Sequence, residues 1–148
     1  MPELLDPASA TSTHRLRVRF CETDMMGIVH HANYLVYCEA ARVDWLLRRG
    51  VSYADWERMG IHLPVVDVKL RYRQPARFED LLDVETTVAE LARASVRFAY
   101  RIRRGDVLVC EAETLLACVG HDLALRRLPD DVLAAFRRSE QAGAHVEV

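Results

Sequence analysis

A carboxylate, a glycine and two imidazoles stand close together in the run F-C-E-T-D-M-M-G-I-V-H-H-A-N-Y, residues 20–34. Asp24 follows a strand-like alternation and precedes a long oily stretch that starts at Asn33. A carboxylate so placed can face a helix N-terminus, where unpaired backbone N–H groups carry partial positive charge. Such donors hold a developing oxyanion and polarise a carbonyl. A donor cradle beside a base or nucleophile makes the parts of an acyl-transfer site, and Gly27 permits a sharp backbone path between them. From spacing alone Asp24 reads first as a turn former or a solvated charge, ahead of a catalytic group, and Gly27 as a plain turn glycine. His30 and His31 are adjacent, so in extended chain they point apart and do not chelate one metal as an i, i+4 helical pair would. His31 reads either as a packing residue or as a hydrogen-bond partner for a substrate. Glu39 and Arg42, three apart, read as a structural ion pair. Asp44 reads as an outer-face residue and Trp45 as core. No G-x-S-x-G elbow, phosphate loop or dinucleotide fingerprint occurs, which argues against the common hydrolase, kinase and dehydrogenase folds.

The elements that must position these residues are legible from periodicity. Leu16, Val18 and Phe20 alternate with Arg15, Arg17 and Arg19, which predicts a half-buried strand over Arg15–Cys21. From Tyr34 to Leu47 only Glu39, Arg42 and Asp44 are charged, so the helix is apolar nearly all round and must be buried. It is too short and too often interrupted by charge to span a bilayer. Asn33 is the expected N-cap, and Gly50 the stop, just past Arg48 and Arg49 at the negative helix end. Ser52 with Asp55 opens a short second helix ending near Gly60. Four strands follow, around Val66–Tyr72, Leu82–Val88, Val96–Ile102 and Val107–Val119, with Gly105-Asp106 as a tight turn. Short links make the last three an antiparallel meander. Pro129 with Asp130 and Asp131 starts a terminal helix to about Arg138. A strand, a buried helix, four strands and a helix resolve best as an α+β hotdog: a five-stranded antiparallel sheet wrapped around the long helix. One domain over residues 14–138, with loose termini at 1–13 and 139–148, is the expected organisation.

Composition bounds the rest. The chain has 148 residues, 51% hydrophobic and 28% charged, with net charge −2. That balance fits one soluble globular domain with a real core, and no global field draws it to nucleic acid or anionic lipid. Of 20 basic residues only Lys69 is lysine, a skew that reads as genome composition ahead of phosphate recognition. Cys21, Cys38, Cys110 and Cys118 form no C-x-x-C pair, so neither zinc nor a disulfide framework is indicated. Buried free thiols in a reducing cytoplasm are expected. The first residues have no basic start and no apolar run, so no secretory signal is read there.

The stretch D-M-M-G-I-V-H-H-A-N-Y-L-V-Y-C-E-A-A-R, residues 24–42, resembles the signature of the 4-hydroxybenzoyl-CoA thioesterase family of hotdog proteins, and particularly its bacterial short acyl-CoA thioesterase branch. Asp24, Gly27, Val29, His31, Asn33, Tyr34, Glu39 and Arg42 all fall in place. The resemblance implies an acyl-CoA thioesterase whose catalytic carboxylate is Asp24, as nucleophile or as base for water. It implies an oxyanion site at the backbone N–H of His31, whose side chain adds to the polarisation, with Gly27 and Tyr34 on the substrate side. It further implies an acyl-CoA substrate, no cofactor or metal, and a homodimer with two interfacial sites, paired into a homotetramer. Coenzyme A phosphates need basic partners; Arg126 and Arg127 are candidates, and read equally as a solvated charge pair. Met25-Met26 stands where many such proteins have Ala-Gly or Gly-Gly, which suggests an apolar, adaptable acyl pocket. A thioesterase acting on acyl carrier protein and a non-catalytic acyl-CoA-binding module are the alternatives.

Overall fold

A computed structural model of the protein describes residues 2–141. In chain order the elements are β1 (Glu3–Leu4), α1 (Pro7–Ala10), β2 (Thr11–Arg17), a 3₁₀ turn (Phe20–Glu22), α2 (Asn33–Leu47), α3 (Tyr53–Arg58), β3 (Val65–Tyr72), β4 (Leu81–Leu91), β5 (Ser95–Arg104), β6 (Val107–Ala117) and α4 (Asp130–Arg137). The sheet is antiparallel throughout and runs β1-β4-β5-β6-β3, with β2 also pairing β4. This is the hotdog fold, with the expected β4-β5-β6 meander. It has six strands where five are expected, because the two-residue β1 adds a short piece beside β2.

Alternation explains the sheet. Val84, Thr86 and Val88 of β4, Phe98, Tyr100 and Ile102 of β5, and Ala112, Thr114 and Leu116 of β6 are buried on the concave face. The opposite face carries cross-strand ion pairs, among them Arg103–Glu85 and Arg97–Glu90. Register shifts at Val88/Glu90 and Ile102/Arg103 mark irregularities that bend the strands, the usual way a sheet curves around something. What it curves around is α2. Tyr37, Cys38, Ala41, Trp45 and Leu46 are buried, and Trp45 meets Phe98 of the sheet and Phe136 of α4 at ring distances of 5.7 and 6.1 Å. A side chain of the size of Leu46 taken from water contributes about 1.5–3 kcal/mol.

Several expectations change. The first strand spans Thr11–Arg17, not Arg15–Cys21. Its inward positions beyond Leu16 are Ser12 and His14, polar residues that hide the alternation but are buried because α2 offers them partners. His14 Nδ1 lies 3.4 Å from the Asp44 carboxylate, and Arg49 donates to Ser12 Oγ at 2.7 Å. Phe20 leaves the sheet and packs, largely exposed, on Phe78 at 5.6 Å. Residues 2–13, expected as a loose arm, supply β1, α1 and the start of β2, and Trp45 donates its indole N–H to Ala10 O. Of the C-terminal tail, Glu140 pairs with Arg48 at 2.7 Å; residues 142–148 lie outside the described part. Asn33 does not cap α2 by accepting. The cap position is Ala32, and the Asn33 amide donates to Glu22 O. Nor is α2 covered all round, for Val36, Val43 and Leu47 are exposed. With Ala40 they line a shallow groove of about 390 Å³.

The helix end departs most. Gly50 takes φ +76°, the left-handed region that glycine occupies without strain, and ends α2 as expected. Arg49 is not a surface charge at the helix pole but wholly buried, its guanidinium 3.6 Å above the Trp45 ring.

The cysteines divide. Cys38, Cys110 and Cys118 are buried and Cys21 is exposed. Burial pushes the Cys38 thiol up to about 12 and Cys110 to about 11, and raises Cys118 as well. Thiolate is the reactive form. Alkylation of the native protein near pH 7.5 (about one unit below a free thiol) is therefore expected to label one cysteine per chain, at Cys21, and the other three only after denaturation. Mass spectrometry checks it, and rapid native labelling of Cys38 would contradict the packing.

Candidate active site

The loop between β2 and α2 is built on a buried carboxylate. Glu22 is only 6% exposed. Its side chain accepts from the Arg19 backbone N–H at 2.7 Å and the Tyr37 hydroxyl at 3.0 Å. Its carbonyl accepts from His30 N–H at 2.8 Å and the Asn33 amide at 2.9 Å. Glu22 thus ties the loop's start to its end and to α2. Burial and the adjoining carboxylate push the Tyr37 phenol well up, so it stays a donor. Nothing in the sequence singles out Glu22. A charged residue where an apolar strand position is due is the one available signal.

Downstream the chain makes a tight turn. Gly27 N–H donates to Asp24 O and Asp24 N–H to Ile28 O, both at 2.9 Å, with Gly27 at φ +76°. Asp24 Oδ1 accepts the Met26 N–H at 2.8 Å, which leaves its second carboxylate oxygen free of the turn. Asp24 is therefore both the turn former and a half-buried carboxylate facing a cleft of about 370 Å³. Met26, Ile28, His31, Tyr34 and Tyr72 also line this cleft.

At the far wall α2 begins. Ala32 N–H is taken by the His30 ring and Asn33 N–H by His30 O. The backbone N–H groups of His31 and Tyr34 have no partner among the described residues. They are the free donors of the helix start. Tyr72 donates its hydroxyl to His31 O at 3.0 Å and packs edge-on against Tyr34 at 5.5 Å, which fixes the entry to the helix. The His30 and His31 rings do not point apart. The chain is already turning into the helix, and their centroids lie 4.1 Å from each other.

The structure thus brings Asp24, His31 and Tyr34 to one cleft and uses Gly27 to turn the chain beside it. Met26 lines the cleft, whereas Met25 is fully exposed. Arg126 and Arg127 are not in it. They follow β6 at the Val65 end of β3, exposed, and Arg126 donates to Gly60 O at 3.3 Å. Tyr72, Arg73 and Gln74 do line it. Sequence reading places them at a strand end closed by Pro75 and sees no chemistry there. No cluster able to hold a metal ion occurs among the described residues.

Residues 18–136 match the model of the thioesterase-like superfamily. The chain belongs to that superfamily. An acyl-CoA thioester hydrolase of Escherichia coli is 30% identical over 125 residues, covering 83% of this chain and 93% of that one. A Thermus thermophilus protein of known structure superposes with a TM-score of 0.81 at 43% identity, over 84% of this chain and 96% of that chain. The DHNA-CoA thioesterase of Staphylococcus aureus gives 0.82 at 31% identity, over 85% of this chain and 88% of that chain. By that kinship the protein is an enzyme of the thioester-hydrolase kind.

Proposed function

We propose that the protein hydrolyses an acyl-CoA thioester to free acid and CoA, as the short acyl-CoA branch of its family would. The observation that carries the reading is the facing of a half-buried carboxylate, Asp24, and two unpaired N–H groups at the start of α2 across one cleft. A thioester carbonyl resting on the His31 and Tyr34 N–H groups is polarised, and its oxygen gains charge as the carbon is attacked. Asp24 attacks directly, giving a mixed anhydride that water opens, or deprotonates the water that attacks. By either route the C–S bond breaks, the thiolate leaves and takes a proton, and the acid is released. The names of the relatives support the CoA ester over a carrier-protein ester.

A homodimer is part of this reading. β3 is the end strand of the sheet, pairs only β6 among the described residues, and exposes Val65, Val66, Val68 and Tyr72. An open apolar edge of this kind is a template for pairing with another chain. Antiparallel pairing about a two-fold axis sets the Val65 end of one copy beside the Tyr72 end of the other. Arg126 and Arg127 then approach the other copy's cleft, where they would meet CoA phosphates. A cytoplasmic setting is part of the reading, in keeping with the four free cysteines; no helix among the described residues is long and apolar enough to cross a membrane.

Thiol release from a panel of short, long and aromatic acyl-CoAs tests the activity; no turnover on any member would overturn it. His31→Ala is expected to cost less than about 10-fold in kcat, since the backbone N–H survives and general acid–base groups cost about 10²–10⁴. A loss as large as that of an Asp24 variant would make the imidazole a principal group.

A further inference from the structure

Arg42 was expected to pair with Glu39. It does not. Its side chain turns inward, is 9% exposed, and donates from Nη1 to the Tyr100 hydroxyl at 3.1 Å. That hydroxyl also bonds Thr114 Oγ1 at 2.8 Å. No carboxylate lies within ion-pair distance of Arg42 among the described residues. Arg42 Nε and the Tyr53 hydroxyl are both enclosed and neither makes a hydrogen bond of good geometry, although the two side chains stand close enough to interact. A buried guanidinium without a counter-charge is costly, and buried polar groups are nearly always fully satisfied. Both side chains line a groove of about 580 Å³ bounded by α2, α3 and the segment Ile61–Pro64 that leads into β3. Its wall is otherwise largely apolar, with Val43, Ile61, Leu63 and Leu123. Glu39 and Glu57 stand exposed at the rim, where water screens them.

We propose that this groove is a subsite for the distal carboxylate of a dicarboxylic acyl group, held by the Arg42 guanidinium and the Tyr53 hydroxyl. The inference rests on the thioesterase and dimer reading. The groove lies at the Val65 end of β3, which pairing across that strand sets beside the second copy's Asp24 loop. Two donors, one of them charged and lacking its counter-ion, match an anionic acceptor. The apolar wall takes the methylene chain.

The test compares glutaryl-CoA with valeryl-CoA, which differ in the distal group. The wild-type enzyme is expected to favour glutaryl-CoA in kcat/KM by about 100-fold, the scale of hydrogen bonds to a charged group. Tyr53→Phe, which keeps the ring, is expected to cut that ratio about 10-fold, and Arg42→Met to bring it near one. Arg42→Met replaces a buried charge with an apolar chain of similar reach, a change buried sites often tolerate; should it fail to fold, Tyr53→Phe still decides. Calorimetric titration with free glutarate and with valerate is the second arm. Glutarate binding lost in Tyr53→Phe establishes the subsite even if no thioester is turned over. Turnover of valeryl-CoA without preference for glutaryl-CoA, or glutarate binding unchanged in Tyr53→Phe, overturns the subsite and leaves the thioesterase reading standing. Where neither ester is turned over, the glutarate titration alone decides the subsite, and the wider acyl-CoA panel decides the thioesterase reading.

Discussion

Asp24→Asn is expected to lower turnover at least 100-fold, within the range of about 10²–10⁴ for loss of a positioned general base. The substitution isolates the chemistry. Asp24 Oδ1 accepts the Met26 N–H within the turn, and an asparagine oxygen can accept the same bond, so the turn at Gly27 is kept. What is lost is the negative charge that faces the free N–H groups of His31 and Tyr34 across the cleft. An amide neither attacks a thioester as a carboxylate does nor takes a proton from water near neutral pH. The variant should therefore elute and melt like the parent while releasing thiol far more slowly. A folded variant with near-normal kcat would remove Asp24 from the mechanism.

The second large effect concerns stability. Arg49 is wholly buried at the end of α2, where its guanidinium donates to four acceptors from separate parts of the chain. These are Ser12 Oγ at 2.7 Å, Arg138 O at 2.9 Å, and Ser9 O and Trp45 O at 3.0 Å. One planar group thus fastens α1, β2 and the end of α4 to the central helix. Burial drives its pKa down to about 10, still above neutral, so it remains a cation that stacks on Trp45. Arg49→Ala leaves those acceptors unpaired and opens a cavity beside Trp45. A loss of about 3 kcal/mol or more is expected from the two effects together. For a chain of this length that lowers the melting temperature by roughly 6 °C or more. Arg49→Lys should recover little, because one ammonium cannot reproduce a fork of donors. A change below about 0.5 kcal/mol, the scale of an ordinary surface substitution, would show that the junction contributes nothing.

What the sequence determined by itself was local. Period-two alternation in β4, β5 and β6, the apolar stretch of α2, and the stops at Gly50 and Pro129 are short-range signals, and each element falls near its expected place. That Asp24, Gly27 and His31 share one loop between a strand and the central helix was legible for the same reason, whereas the roles proposed for them rest on the family resemblance. What only tertiary structure decided lies where a polar residue is buried by a partner distant in sequence. Ser12 and His14 face inward because Arg49 and Asp44 receive them, so β2 begins before its apolar pattern does. Glu22 is enclosed because Tyr37 and Arg19 satisfy it. Arg42 abandons Glu39, its neighbour on the helix, for Tyr100 on the sheet, 58 residues away. Helical spacing offers an exposed ion pair worth a few tenths of a kcal/mol, too little to hold a side chain that the curved sheet can bury. Periodicity records which faces are apolar. It carries no record of which buried charge meets which distant oxygen, and in this protein those meetings fasten the termini and shape the second groove.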